Sequence, residues 1–103
     1  KVAEEHLIEK NLIEKNHQKS KEVLLLLCNH LEQIEESKWT TVEIEDVMRN
    51  LASNAEVKPG KLFMLTRIII TGQKVSPPLF ETMEIVGKNK IIQRLHTVVQ
   101  KLS

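Results

Sequence analysis

The chain has 103 residues, of which 41% are hydrophobic and 28% charged, a composition typical of one globular domain and unlike that of a disordered segment. Its net charge of +1 conceals two unlike halves, because residues 1–56 contain seven Lys or Arg and twelve Asp or Glu, whereas residues 57–103 contain eight and two. Only 3% of the residues are aromatic and none is tyrosine, which argues against a stacking platform for single-stranded nucleic acid. A basic half beside an acidic half is compatible with nucleic-acid contact, and equally with charge pairing across the fold.

Cysteine content and hydropathy indicate the cellular environment of the protein. The one cysteine, Cys28, excludes an internal disulfide, and an unpaired thiol favours a reducing, intracellular environment. No apolar run is long enough to span a membrane, and no signal peptide is visible. Because the chain begins without methionine, we expect Lys1 to follow a cut in a longer protein or a processing step.

Two helices are predicted in the first third of the chain, over residues 2–15 and 17–36. The first is rich in Glu, Lys, Leu and Ile and contains LIEKN twice in succession, a spacing that indicates a local duplication and not a repeat architecture. The second has an unusually wide apolar stripe, which predicts a central position in the domain. Its inward face consists of Leu24, Leu27, Cys28 and Leu31, widened by Leu25 and Leu26. We interpret Cys28 as a small buried hydrophobe.

The third helix has the best-defined start. Thr40 and Glu43 form a capping box, in which the threonine side chain accepts from the third-position amide and the glutamate reaches back. Trp39 and Ile44 occupy the positions of a hydrophobic staple across this start. We therefore interpret Trp39 as a structural clasp and not as a ligand contact.

The apolar run KLFMLTRIIIT, residues 61–71, fits either a helix or a buried strand. No other segment offers it a strand partner, so we predict a helix that ends near Thr71, with Gly72 as its C-cap. Ser76 and Pro77 then suit the N-cap and the first position of a helix over residues 77–86.

Gly87 is predicted to end that helix, and Asn89 to cap the last one. The inward stripe of the last helix is Ile91, Ile92, Leu95, Val98, Val99 and Leu102, while Lys90, Arg94 and Lys101 can point outward. The whole pattern predicts a single all-α domain over residues 1–103, with about six helices joined by short turns.

The sequence contains no recognisable set of catalytic residues. The four histidines are scattered without metal-site spacing, and Cys28 with His30 lacks two further zinc ligands. No phosphate-binding glycine pattern occurs. We therefore predict no catalytic residue, no metal site and no cofactor in the chain itself.

Residues 59–95 read PGKLFMLTRIIITGQKVSPPLFETMEIVGKNKIIQRL and resemble the C-terminal segment of bacterial and organellar glutamyl-tRNA synthetases. The matching motifs, in order, are GKLF at 60–63, Leu65, Arg67, TG at 71–72, SP at 76–77, LFE at 79–81, GK at 87–88 and RL at 94–95. The resemblance covers residues 38–102, whereas residues 1–37 share only helical character. The sequence departs from the family where a proline usually precedes Arg67, where Thr66 replaces leucine, and where isoleucines replace small residues after Arg67.

The resemblance implies the multihelical anticodon-binding domain of a longer enzyme. The fragment would be non-catalytic, while its parent would be an ATP-dependent class I glutamate–tRNA ligase whose catalytic domain, with ATP and Mg²⁺, lies upstream. The implied partner is the anticodon stem-loop of tRNA-Glu, with no membrane contact. A monomer is the simplest expectation, in the bacterial cytoplasm or in an organelle.

The same resemblance assigns site residues. It implies that Arg67 contacts an anticodon base and that Ser76, Pro77 and Leu79 line the pocket. An arginine suits this role because its planar, permanently charged fork can both bond a base edge and stack on it. Cations nearby would add phosphate attraction and salt dependence, and we expect this of Lys61, Lys74, Lys88 and Arg94.

Alternatives remain open for several of these residues. Arg67 could be a structural arginine paired with Glu81 or Glu84. Phe63 and Phe80 fit the core better than a stacking role, and Leu79 fits either. A helical protein-interaction module is a competing function, in which the apolar stripe of residues 23–34 docks a partner. A helix-turn-helix DNA reader is weaker, because residues 77–102 offer few polar base-reading side chains.

Overall fold

The computed structural model describes residues 2–102, with side chains from residue 5 onward. Six α-helices follow one another: α1 Val2–Lys10, α2 His17–Glu32, α3 Thr41–Asn54, α4 Pro59–Thr71, α5 Leu79–Val86 and α6 Lys88–Leu102. Single 3-10 turns, Ile13–Lys15 and Glu36–Lys38, lie before and after α2. Residues 2–102 contain no strand, so the predicted all-α class and the number of helices are confirmed. No helix within this range is long and apolar enough to cross a membrane.

Helix α2 is the centre of the domain. The four residues predicted for its inward face are fully buried, and α2 packs against α3 and most extensively against α6. The inward stripe predicted for α6 is also buried, apart from Leu102, which is half-buried. Of the flanking leucines of α2, Leu25 is half-buried and Leu26 is 42% exposed. The wide stripe is therefore the domain core, and it leaves little apolar surface for a docked partner.

The predicted start of α3 is confirmed in its main features. Thr40 Oγ1 accepts from the Glu43 amide at 3.3 Å, while the Thr40 amide donates to the Lys38 carbonyl and not to the Glu43 side chain. Trp39 is 7% exposed, and its indole N–H donates to the Met83 carbonyl at 3.0 Å. Trp39 therefore fixes the entry to α3 against the last turn of α5, which supports its role as a structural clasp.

The prediction of one helix over residues 2–15 is wrong, because α1 ends at Lys10. Leu12 and Ile13 turn into the core there, and the buried Ser20 hydroxyl accepts from the Ile13 amide at 2.8 Å. Glu14 and Lys15 then adopt left-handed backbone angles, each with φ of 54°. Burial of these apolar side chains outweighs the local helical preference of the duplicated LIEKN segment.

The second helix was predicted to reach residue 36 but ends at Glu32. Ile34 is buried beyond this end, and the Lys88 ammonium donates to the carbonyls of Glu32 and Ile34. Carbonyls at a helix end lack partners within the helix, and a lysine from a distant segment supplies one here. A contact between residues so far apart in sequence has no local signal.

The starts of the last two helices also differ from prediction. Helix α5 begins at Leu79 with Pro78 as its N-cap residue, so Ser76 and Pro77 lie outside the helix. The helical conformation is disfavoured for a residue that precedes proline. Pro77 precedes Pro78, and it therefore lies outside the first turn of α5. Helix α6 begins at Lys88, with the Gly87 carbonyl accepting from the Ile91 amide, so Asn89 lies within the first turn and does not cap it.

Burial has a measurable consequence for Cys28. Desolvation, with a smaller contribution from the Glu32 charge, raises the pKa of the thiol from 9.0 to about 11. Because the folded chain holds this proton more tightly than the unfolded chain, the stability linked to it should be complete below pH 9 and lost as the pH rises towards 11. We expect the ultraviolet absorption of the thiolate, free of tyrosinate interference in this chain, to titrate near pH 11 in the folded state and near 9 in urea. A folded-state midpoint at or below 9 would contradict the buried position, and the Cys28→Ser variant gives the baseline.

Candidate functional site

The segment after α4, loop 72–78, folds back against the helix that precedes it. Gly72 has φ of 77° and ends α4 in the left-handed conformation that glycine adopts readily, as predicted. The Thr71 hydroxyl donates to the Arg67 carbonyl at 2.8 Å and accepts from the Gln73 amide at 3.2 Å. The chain therefore reverses over a short distance and returns Ser76 to the flank of α4.

Arg67 and Ser76 meet in this reversal. The Arg67 Nε–H donates to Ser76 Oγ at 2.9 Å, and the Ser76 hydroxyl donates in turn to the Pro77 carbonyl at 2.9 Å. Arg67 is half-buried along α4, so its orientation is set by the helix, by packing and by this bond. The structure thus brings together two residues that the sequence predicted for one site.

The charge of Arg67 is not neutralised by a neighbouring side chain. Within the described chain, Arg67 forms no ion pair, and Ser76 bonds only its Nε. Glu84, one proposed alternative partner, accepts from both the amide and the hydroxyl of Thr41 at 2.7 Å, and these bonds lower the pKa of its carboxyl group. The other, Glu81, is exposed and makes no ion pair in the described part of the chain. Both Nη groups of Arg67 therefore lack a partner among the described residues.

Exposed apolar residues flank Ser76 in the chain. Pro77 and Pro78 are exposed, and Val75, immediately before Ser76, is 84% exposed. Val75 was not among the predicted site residues. Its signal in the sequence is weak, since a single valine in a polar loop before two prolines reads equally as a buried anchor. The structure shows it as apolar surface that a flat ring can cover.

Leu79 takes the core position, one of the two positions that the sequence leaves open for it. Its side chain is 3% exposed and belongs to the core, so it does not form part of an open pocket wall. The reason is that α5 begins at this residue and must bury its apolar face against the domain. Phe63 and Phe80 pack edge to face with centroids 5.0 Å apart, in agreement with the core role expected of them.

The four predicted phosphate contacts fall into two pairs. Lys61 and Lys74 are exposed and form no ion pair within the described residues. By contrast, the Lys88 ammonium donates to two carbonyls at the end of α2, and Arg94 Nη1 donates to the Ile70 carbonyl in α4. These bonds give Lys88 and Arg94 roles in helix packing, which sequence alone does not reveal. Only Lys61 and Lys74 are freely available in this conformation.

The arrangement suits recognition of a planar polar group. It combines an oriented guanidinium, a serine hydroxyl, backbone carbonyls and a small apolar wall. Among the described residues, no group of three or more His, Cys, Asp or Glu side chains is placed to hold a metal ion. A planar polar group could bond the Arg67 fork on its edge while its face covers the apolar wall.

Several known proteins are similar in sequence to this chain. A family model described as "Anticodon binding domain" matches residues 2–99. A glutamate–tRNA ligase of Chloroflexus aurantiacus is 37% identical over 92 residues, which are 89% of this chain and 18% of that protein. Glutamate–tRNA ligases of Dehalococcoides mccartyi and Mycobacterium leprae are 40% and 42% identical over 65% and 71% of the chain, and 14% of each relative. The chain thus spans less than a fifth of the length of these relatives. No solved structure matches.

Proposed function

Because this chain belongs to the family of anticodon-binding domains found in glutamate–tRNA ligases, we propose that it binds the anticodon loop of a glutamate tRNA, with Arg67 and Ser76 at the centre of the contact. Arg67 would bond the edge of an anticodon base through its two Nη groups. Ser76 Oγ and the Pro77 carbonyl, each with an acceptor lone pair left over, would offer further acceptors, and Val75 with the exposed prolines would cover the face of a base.

The observation that carries this proposal is the bonding of Arg67. A neutral serine, and not a carboxylate, holds the guanidinium, so its full charge and both Nη groups stay available. Most structural arginines in proteins are paired with carboxylates or carbonyls, as Arg49 with Glu45 and Arg94 with Ile70 are in this chain. RNA sequence is read chiefly on unstacked loop bases, by hydrogen bonds to their edges and by contact with their faces. The site supplies both kinds of contact on a rigid helix and a braced loop.

The rest of the proposal concerns a longer protein. We take residues 1–103 as one helical domain at the C-terminal end of a synthetase that attaches glutamate to tRNA. ATP and Mg²⁺ would act in a catalytic domain outside these residues, and the domain itself would do no chemistry. We expect this chain to be a monomer, in the bacterial cytoplasm or an organelle.

The competing function as a protein-docking module has lost its main support. The apolar stripe of residues 23–34 on which it depended is mostly buried against α3 and α6. No observation on the described surface replaces it.

The proposal is tested by titrating the chain with a fluorescent stem-loop that carries the glutamate anticodon. Matched stem-loops, each with one anticodon base changed, serve as competitors. We expect the dissociation constant to rise steeply with salt and the altered loops to bind at least about fivefold more weakly, the loss typical of one base-edge contact. Equal affinity for every anticodon would contradict base reading by this domain.

A further inference from the structure

A second surface of the domain adjoins the Arg67 site. A groove of about 780 Å³ lies between the α1–α2 connection and the N-terminal half of α4. Its base is apolar, with the buried residues Leu12, Ile13 and Val57 and the half-buried Met64. Five lysines line it, from three separate segments of the chain: Lys10, Lys15, Lys58, Lys61 and Lys74. We call this surface the lysine groove.

The lysines of the groove are not used by the fold. None of the five forms an ion pair within the described chain, and all five are exposed. Elsewhere, Lys19 pairs with Glu14 and Lys101 with Glu5, while Lys88 caps α2. Five lysines without an ion pair among the described residues therefore share one surface, and they come from both the acidic and the basic half of the sequence.

Two carboxylates also line the groove, and they do not cancel its charge. Glu14 is bonded to Lys19, which lies outside the groove, with 3.1 Å between Oε2 and Nζ. Glu56 is exposed and forms no ion pair within the described residues. The lining thus has five cations against two anions, one of which is already paired. Such a surface favours a polyanion over a neutral or cationic partner.

The backbone around the groove is unusual. Every non-glycine residue with positive φ in the described chain lies in its wall: Glu14 and Lys15 at 54° and Glu56 at 58°. Residues other than glycine are uncommon in this region, and such strained positions tend to cluster where a protein binds ligands. These turns direct the segments that carry Lys10, Lys15 and Lys58 to the two sides of one groove.

The groove is continuous with the Arg67 site along α4 and through loop 72–78. Gly60, Lys61 and Met64 line the groove, and Arg67 follows Gly60 and Met64 at seven- and three-residue spacing, on the same face of the helix. Lys74 belongs both to the groove wall and to loop 72–78, two residues before Ser76. An RNA strand that extends from Arg67 along this face of α4 would therefore enter the groove.

We propose that the lysine groove binds the sugar–phosphate backbone of the RNA strand that flanks the bases held at Arg67. The proposal rests on the function proposed above and adds a second contact surface, formed largely by residues without any assigned role. Its lysines act as mobile point charges that follow phosphates without reading sequence. The open space beside the Gly60 Cα, where no atom lies within 4 Å of an added Cβ, permits close approach of a backbone there.

The test compares two double variants of equal charge. Lys10→Gln/Lys58→Gln removes two groove cations, and Lys21→Gln/Lys38→Gln removes two unpaired cations that do not line the groove. Each is titrated with the glutamate stem-loop and with an anticodon-altered loop over a range of salt concentrations. We expect the groove variant to lose roughly 1.5 to 2 from the slope of log K against log salt and roughly tenfold in affinity at moderate salt, for both loops alike. The control variant should keep the wild-type slope.

Each alternative result has a distinct meaning. If both variants lose affinity equally, only net charge matters and the groove proposal fails. The same holds if a glutamate oligopeptide of matched charge binds as tightly as the RNA. A wild-type chain that binds RNA through the groove but ignores the anticodon would overturn base reading and leave the groove proposal standing. A wild-type chain without salt-sensitive RNA binding would overturn both.

Discussion

Replacing Trp39 with alanine should cost about 3–5 kcal/mol of unfolding free energy, the loss typical of a truncated buried tryptophan. The side chain is almost wholly buried, and its removal would leave a cavity between the start of α3 and α5 and would remove the hydrogen bond that joins Trp39 to the Met83 carbonyl. Since small domains are stable by only about 5–15 kcal/mol, the variant should lose a large part of its stability. Urea denaturation followed by circular dichroism measures the difference.

Two companion variants separate the causes of this loss. Trp39→Phe keeps most of the apolar volume but loses the hydrogen bond, so we expect a smaller cost of about 1–2 kcal/mol. Val42→Ala, three positions along the chain at a site 69% exposed, should change stability by less than about 0.5 kcal/mol. If the unfolding free energy of the Trp39→Ala variant is no lower than that of Val42→Ala, the contact between this indole and α5 does not stabilise the domain.

Replacing Arg67 with alanine should weaken binding of the glutamate stem-loop by about 1–3 kcal/mol and abolish preference among anticodons. This corresponds to a loss of roughly 5- to 150-fold in affinity. Arg67→Lys should recover little, because an ammonium keeps the charge but lacks the planar fork that can bond a base edge at two points. Titration against the cognate and altered loops gives both the affinity and the selectivity.

The matched control for Arg67 is Arg49→Ala. Arg49 is also an arginine in a helix, but it bonds Glu45 at 2.8 Å and stacks over Phe63, with 5.2 Å from its Cζ to the ring centroid. Its removal changes net charge equally and should leave anticodon preference intact. If Arg67→Ala and Arg49→Ala reduce affinity alike and both keep the preference, then the effect of Arg67 is only electrostatic and another residue reads the base.

Features encoded in one stretch of sequence were predictable. The buried face of α2, the cap at Thr40, the burial of Trp39 and the end of α4 at Gly72 each follow from spacing within about eight residues or from the conformational preference of one residue. The placement of Arg67 and Ser76 in one site could not be predicted from local spacing, and it came from the family resemblance. The bond between them depends on the reversal of loop 72–78, which the isolated sequence does not specify.

Features that join distant segments were not predictable. The lysine groove unites residues near positions 10–15 with residues near 56–61 and 74, and no periodic pattern connects these stretches. Lys88 and Arg94 looked like surface cations, yet Lys88 bonds two carbonyls at the end of α2 and Arg94 bonds one carbonyl in α4. The break after Lys10 arises because Leu12 and Ile13 gain more from burial than α1 gains from extension. Tertiary contacts override local preference at each of these points.

The indole of Trp39 also determines how the molecule can be observed. With one tryptophan and no tyrosine, almost all intrinsic fluorescence of the chain originates from a single buried ring that bonds Met83. Its emission therefore reports whether α3 and α5 are joined, without interference from other chromophores. Arg67, Ser76 and the lysine groove contain no such fluorophore, so occupancy is best followed by a label on the RNA. Folding and binding can thus be recorded in the same cuvette as two optically separate signals.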